Sequence, residues 1–146
     1  MKILKVDTEK RRLGTLGERR AALYLLLRGY RILARNVDSG TAEIDIVAMK
    51  GEKLIFVEVK TRSIESQSPL EPRPASSVTP EKQRKIFDVA IEFQGIHSEK
   101  LWGLGKRFDI IEVLVKKKRR GYRVVKINHL ISAFDKSTAK RPPWKR

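Results

Sequence analysis

The sequence contains no cysteine and only 7% aromatic residues. The absence of cysteine excludes disulfide bridges, thiolate zinc sites and a cysteine nucleophile, and it is compatible with a reducing compartment. The chain also lacks any apolar run of about 18 residues, the length that a membrane-spanning helix needs. Its start is dominated by charged residues instead of an apolar signal segment. We therefore expect a soluble, cytoplasmic protein without a membrane partner.

Acidic residues are scarce relative to basic ones: 17 Asp and Glu stand against 33 Lys and Arg, a formal net charge of +16. Such an excess exceeds what solubility requires and favours a polyanionic partner through counterion release. Nucleic acid is the first candidate, and an anionic membrane surface is the second. A length of 146 residues with 40% hydrophobic residues is sufficient for one folded domain with its own core.

The strongest functional signal lies in residues 42–62. Two short apolar-rich runs alternate at period two and are joined by a glycine turn, which predicts a β-hairpin. The first run carries Glu43 and Asp45 on one predicted face, and the second carries Glu58 and Lys60 on one face. If the two faces coincide, three carboxylates and one ammonium group converge. Burying these charges among valines is costly unless a divalent cation with oxygen ligands compensates.

Capping signals predict two helices. Thr15 as N-cap with Glu18 at the third helical position predicts a helix over 16–28. Thr79 followed by Pro80 predicts the start of a second helix that ends at Gly95. A short helix is also expected at 130–134.

The rest of the chain divides into strands, a loop and two ends. Strands are predicted at 30–37, 107–115 and 121–127, in addition to the central hairpin. Residues 63–78 contain three prolines, which predicts an irregular loop facing the substrate. We expect a partly disordered basic leader at 1–13 with a short strand at 2–6, a single domain at 14–134 and a disordered basic tail at 135–146. The order of helices and strands predicts an α/β fold with a mixed sheet.

Two nested resemblances follow from these residues. Asp45, followed thirteen positions later by Glu58-Val59-Lys60, resembles the signature of the PD-(D/E)XK nuclease superfamily. One difference is that Ile44 occupies the position of the proline in that signature. More narrowly, the chain resembles the YraN family of small bacterial proteins, which are described as predicted endonucleases and are similar to archaeal Holliday-junction resolvases. The matching motifs are Gly17-Glu18 with Ala21, Glu43-Ile44-Asp45, Val57-Glu58-Val59-Lys60 with Arg62, Lys82-Gln83, and Arg107-Phe108-Asp109.

The resemblance implies a restriction-endonuclease-like αβββαβ core and a metal-dependent endonuclease that acts on branched or junction DNA. Asp45 and Glu58 would hold Mg²⁺ or Mn²⁺, and Lys60 would orient water or neutralise developing negative charge. Glu18 would approach from the first helix as a further acidic group. A homodimer would supply the two sites that symmetric junction cleavage needs. The residues expected to bind nucleic acid are Arg62, Lys82, Gln83, Arg84 and Lys85.

Each interpretation has an alternative. Glu18 is explained by its capping box, Glu43 by a solvated strand end, and Asp109 by a structural hydrogen bond. Lys82 and Gln83 could belong to an ordinary helix surface, and His97 and His129 are not expected to be catalytic. For the whole protein, the alternatives are a catalytically silent nucleic-acid-binding module or scaffold in DNA repair or recombination, and a basic RNA-binding protein.

Overall fold

The computed structural model describes residues 2–66, 78–97 and 99–136, and its five strands form one mixed sheet. Helices pack on both faces of this sheet, so the expected α/β class, with the arrangement of a restriction-endonuclease-like core, is confirmed. None of the described helices combines the length and the apolar character needed to cross a bilayer. The elements are α1 Lys2–Leu27, β1 Arg31–Asp38, β2 Glu43–Lys50, β3 Lys53–Ser63, a 3₁₀ turn Ile64–Ser66, α2 Pro80–His97, α3 Glu99–Trp102, β4 Gly105–Lys117 and β5 Tyr122–Phe134.

The order of the strands in the sheet follows their order in the chain, and only β3 and β4 run parallel. The helix α2 lies in the crossover between these two strands, as a parallel connection requires. Pairing between β2 and β3 ends at Ile46 and Val57, whereas β3 continues along β4 as far as Ser63 opposite Val115. Beyond Val57, β3 therefore separates from β2 and leaves a gap between the two strands.

Two hydrophobic clusters hold the helices on the sheet. The cluster under α2 contains stacked and edge-to-face aromatic rings, and the cluster under α1 is mainly aliphatic, with Tyr30 among its buried residues. The central strands contribute buried side chains to both clusters, which explains why β2, β3 and β4 are so rich in apolar residues. The aromatic cluster is built around Phe56, Phe87, Phe93, Phe108 and Phe134, and the aliphatic cluster around Ala21, Leu25, Ile55, Val57 and Ile111.

A close contact between α1 and β3 depends on Gly17. A Cβ atom at this position would lie 1.8 Å from Thr61 Oγ1 and 2.9 Å from Thr61 Cβ. Because Thr61 Cβ is fixed to the strand backbone, any larger residue would push the helix away from the sheet. Glycine at this position therefore sets the distance at which the next residue, Glu18, approaches the sheet.

The start of α1 differs from the prediction. The helix begins at Lys2, so the expected strand at 2–6, the expected start at residue 16 and the N-cap at Thr15 are wrong. Residues before Leu13 are mostly polar, and good helix-forming residues can extend a helix without an apolar stripe. Capping-box spacing alone cannot distinguish an N-terminus from a position inside a longer helix.

The end of β5 also differs. Residues 130–134 continue the strand, so the short helix expected there is wrong. Opposite Asp109 the register changes between the pairs Phe108–Phe134 and Ile110–Leu130, which marks a bulge in β5. Ser132, in this bulge, has φ 53° and donates its backbone N–H to Asp109 Oδ1 over 3.0 Å.

The predicted entry to α2 is confirmed. Thr79 Oγ1 accepts a hydrogen bond from the Lys82 N–H over 3.2 Å, and Pro80 is the first helical residue. The helix ends at His97, two residues after Gly95. In the predicted loop, β3 continues to Ser63 before the 3₁₀ turn. Residues 67–77 of that loop and 137–146 of the predicted tail lie outside the described residues.

Candidate active site

Asp45 lies at the gap between β2 and β3. Its neighbours Ile44 and Ile46 pack in different clusters, Ile44 under α2 and Ile46 under α1. A regular strand would place both on one face, so the alternation breaks at Asp45. Asp45 Oδ2 accepts a hydrogen bond from the Val59 N–H over 2.7 Å. The carboxylate thus takes the place of a backbone acceptor at the point where the strands separate.

Glu58 faces α2 and contacts two lysines. Its side chain is only 10% exposed, and Oε1 accepts a hydrogen bond from Lys82 Nζ over 2.8 Å. Lys60 Nζ lies 3.5 Å from the same oxygen. Burial by itself would lower the pKa of Lys82, but the hydrogen bond and the charge of Glu58 outweigh it and raise the pKa. Lys82 therefore stays charged beside Glu58.

Four carboxylates interact at this gap. Burial, together with the negative charge of Glu58, raises the pKa of Asp45 to about 7, against the opposing hydrogen bond from Val59. Glu18 and Glu43 add to that effect. The pKa of Glu18 is itself raised, first by burial and then by Glu43 and Glu58, although Arg35 opposes the change. The structure thus brings the acidic side chains of α1, β2 and β3 within electrostatic reach of one another.

The side chains at the gap offer few ligands for a metal ion. Within residues 2–66, 78–97 and 99–136, no group of three or more His, Asp or Glu side chains is arranged to hold a metal ion. Mg²⁺ is usually held by only one or two carboxylates, with waters and substrate phosphates as its other ligands. Asp45 and Glu58 provide such a pair, and their mutual repulsion is the kind that a hard cation relieves. The residues present therefore fit a divalent ion held partly by substrate.

Glu43 lies beside a depression of about 260 Å³, which Lys82 and Lys85 also line. Arg84 and Lys85 are exposed on α2, and Lys85 Nζ lies 3.7 Å from Glu81 Oε1. Lys82 and Lys85 thus place two cations beside Glu43.

Gln83 does not lie on the surface predicted to bind nucleic acid. Its side chain is buried, and Nε2 donates a hydrogen bond to the Val78 carbonyl over 2.9 Å. The backbone N–H of Gln83 donates to the Thr79 carbonyl over 2.8 Å. The structure thus gives Gln83 a role in fixing the entry to α2, which in turn positions Lys82.

Arg62 is paired with an acidic residue that the sequence reasoning missed. Its Nε lies 3.8 Å from Oε2 of Glu112, a buried side chain on β4. Asn128 Nδ2 donates to Glu112 Oε1 over 3.0 Å, which fixes the carboxylate from the other side. An acidic residue inside the apolar run of β4 was the signal that could have identified Glu112. Together these contacts hold Arg62 on β3, four residues beyond Glu58.

Asp109 forms a separate buried network. Its carboxylate accepts two hydrogen bonds from Arg107, over 2.9 and 2.7 Å, and lies 2.7 Å from His129 Nε2. Arg107 also donates to the hydroxyl oxygen of Tyr30 over 2.7 Å. Burial alone would raise the pKa of Asp109, but the bonds from His129, Arg107 and the Ser132 N–H lower it. These contacts support the structural interpretation of Asp109.

Comparison with known proteins places the chain in a family. The family model described as "Uncharacterised protein family UPF0102" matches residues 17–113, which include Glu18, Asp45, Glu58 and Lys60. A UPF0102 protein of Chlorobaculum parvum is 42% identical over 128 residues, covering 84% of this chain and 91% of the relative. One from Geotalea uraniireducens is 37% identical over 127 residues (87% and 92%), and one from Chloroflexus aurantiacus is 38% identical over 131 residues (88% and 97%). The chain belongs to the UPF0102 family.

Proposed function

We propose that this protein is a metal-dependent endonuclease that hydrolyses phosphodiester bonds in branched DNA. The observation that carries the proposal is the gap between β2 and β3, where burial and then the negative charge of Glu58 raise the pKa of Asp45 to about 7. A fold tolerates such repulsion at a functional site because a ligand relieves it. The formal net charge of +16 supports a polyanionic substrate.

Asp45 and Glu58 would hold the metal through their carboxylate oxygens. A bound Mg²⁺ or Mn²⁺ ion would supply Lewis-acid activation of the phosphodiester and a more acidic water. Lys60 contacts the same carboxylate oxygen of Glu58 from the strand, so its ammonium group would neutralise charge on the phosphate oxygens. Glu18, whose charge acts on Asp45 from α1, would orient the attacking water.

Lys82 is a counter-ion to Glu58, since its Nζ lies 2.8 Å from Oε1. Its side chain is 38% exposed, so it can exchange this carboxylate for a substrate phosphate. Arg84 and Lys85 on the same helix are exposed and extend the cationic surface. Contacts of this kind recognise backbone geometry and not base sequence, which suits selectivity for DNA structure.

A second candidate function is a nucleic-acid-binding module with a silent site. The observation that favours it is that Glu58 Oε1 is already contacted by two lysines. No third carboxylate joins Asp45 and Glu58 as a metal ligand within the described parts of the chain. Such a protein would bind DNA through the same cations without hydrolysing it, and would serve as a scaffold in repair or recombination.

The test is cleavage of end-labelled four-way junction, flap, linear duplex and single-stranded DNA with Mg²⁺ and with Mn²⁺. Wild type is compared with Glu58→Ala and Lys60→Ala, purified identically. The matched controls are Glu52→Ala and Lys53→Ala, which remove exposed residues at the opposite end of β3. We expect cleavage of the branched substrates to be lost in the first pair and retained in the controls. Equal cleavage by all five proteins would indicate a contaminant, and binding without cleavage would favour the silent module.

A further inference from the structure

The turn between β4 and β5 carries a run of cations that the proposed active site does not use. Residues 116–120 have the sequence Lys-Lys-Lys-Arg-Arg, and all five are exposed. We call this segment the basic hairpin. Its turn is closed by a backbone hydrogen bond from the Lys118 N–H to the Gly121 carbonyl over 2.9 Å, with Gly121 at φ 75°. The fold of the turn thus depends on glycine and the backbone, and the five charges remain available to a polyanion.

The parallel register of β3 and β4 determines where the basic hairpin lies. Glu58 is opposite Ile110, and Ser63 at the end of β3 is opposite Val115. The basic hairpin therefore lies beyond the same strand ends that carry the acidic gap. At a rise of about 3.3 Å per residue, Lys117 is about 23 Å along the strand from the level of Glu58. That distance corresponds to about seven base pairs of duplex.

The basic hairpin is anchored as an extension of the sheet. Pairing between β4 and β5 continues to Lys117 opposite Tyr122, directly beside the turn. Glu65, in the 3₁₀ turn that follows β3, accepts a hydrogen bond from the Lys117 N–H over 3.3 Å. A segment that is already ordered loses less conformational entropy when it binds. The cations are thus presented at a fixed distance from the gap.

Lys60 and Arg62 lie between the gap and the basic hairpin. Both are on β3 at alternating positions after Glu58, so they share its face of the sheet. Arg62 is held by Glu112, and both cationic side chains are partly exposed. The positive charge therefore continues from the acidic gap towards the basic hairpin.

We propose that the basic hairpin binds the phosphate backbone of a duplex arm of the substrate, about seven base pairs from the phosphate at the acidic gap. The position of the scissile phosphate rests on the proposed function, whereas the binding itself does not require cleavage. Contacts to phosphates fix the register of the DNA and carry no sequence information. The basic hairpin would therefore make affinity depend on the length of one arm.

The experiment measures binding of labelled flap DNA with arms of 4, 8, 12 and 16 base pairs in EDTA by fluorescence anisotropy. Wild type is compared with the double variant Arg119→Gln/Arg120→Gln. The control, Arg31→Gln/Lys53→Gln, removes the same charge from exposed residues at the opposite end of the sheet. We expect wild type and control to gain about tenfold or more in affinity between the 4- and 12-base-pair arms. In the hairpin variant this gain is lost, and the slope of log K against log salt becomes shallower by about 1.8, since each phosphate contact contributes about 0.9.

A length-dependent gain that survives in the hairpin variant, or that the control loses equally, would overturn this proposal. Tighter binding to an RNA duplex of the same length would do so as well. The outcome is independent of hydrolysis. If wild type does not cut but the length dependence is present and requires Arg119 and Arg120, the nuclease proposal fails and the basic hairpin stands.

Discussion

Replacing Asp45 by asparagine should make the metal-free protein more stable. The amide keeps an oxygen that can accept the hydrogen bond from the Val59 N–H, but it removes the charge that Glu58 repels. A pKa of about 7 against an ordinary 3.8 corresponds, at about 1.4 kcal/mol per pH unit, to roughly 4 kcal/mol of folding free energy lost on full ionisation.

The stabilisation should depend on pH in a defined direction. Because the pKa of Asp45 is raised in the folded state, the wild type loses stability as the pH rises from 3.8 to about 7. The advantage of Asp45→Asn should therefore be about 1–2 kcal/mol at pH 5 and about 4 kcal/mol at pH 8. For a chain of this length the larger value corresponds to an increase of roughly 10 °C in melting temperature.

Thermal unfolding in EDTA at pH 5, 6, 7 and 8 measures this difference, with Asp88→Asn on the exposed face of α2 as the control. Saturating Mg²⁺ should then stabilise wild type and not Asp45→Asn, which reduces the difference in stability between the two proteins. If Asp45→Asn were less stable than wild type at pH 8, or equally stable at all four pH values, the raised pKa of Asp45 would be refuted.

Three further substitutions test the packing and the ion pairs. Gly17→Ala should cost roughly 1–3 kcal/mol in chemical denaturation because α1 must move from β3, whereas Gly14→Ala, where a Cβ meets no atom within 4 Å, should stabilise by up to about 1 kcal/mol. Asp109→Ala should cost about 3–5 kcal/mol near neutral pH because it leaves Arg107 and the Ser132 N–H without their carboxylate acceptor. This loss of stability should shrink as the pH falls below 3.8, the ordinary pKa of Asp, because the unfolded chain then binds a proton that the folded carboxylate, with its lowered pKa, resists. Lys82→Ala should lower metal-free stability at pH 8 by up to about 1 kcal/mol and strengthen Mg²⁺ binding in a thermal-shift titration, because the ammonium no longer competes for Glu58. Weaker Mg²⁺ binding in that variant would contradict the competition.

The central hairpin and the entry to α2 were predictable because local chemistry determines them. Alternating apolar residues around Asp45 and Glu58 predicted paired strands, and Thr79 as N-cap predicted the helix start. The expectation of strict alternation at Asp45 was incomplete, since the strand switches faces there as β2 and β3 separate. That separation is a property of the whole sheet and leaves no pattern in either strand. The separation of β2 from β3 nevertheless determines where the Asp45 carboxylate lies.

Errors arose where distant residues decide the local structure. Residues 130–134 form a strand because they pair with residues 108–110 of β4, which are distant in the chain, and Asp109 there accepts the Ser132 N–H. The position of Gln83 next to Lys82 in a charged helical turn predicts an exposed side chain, yet this side chain is buried and donates to the Val78 carbonyl. In both cases a polar side chain satisfies a backbone group that only the folded chain brings near it. Local sequence patterns carry no such information.

Within the described residues β1 and β5 form the two edges of the sheet, and β5 is the longer at 13 residues, an unusual length for an edge strand. Its bulge at Ser132 and its exposed cations, Arg123 and Lys126, discourage another strand from adding to this edge. High salt screens those charges. We therefore expect aggregation through this edge to become faster at high ionic strength. Storage in low salt should then keep more of the protein unaggregated than storage in high salt.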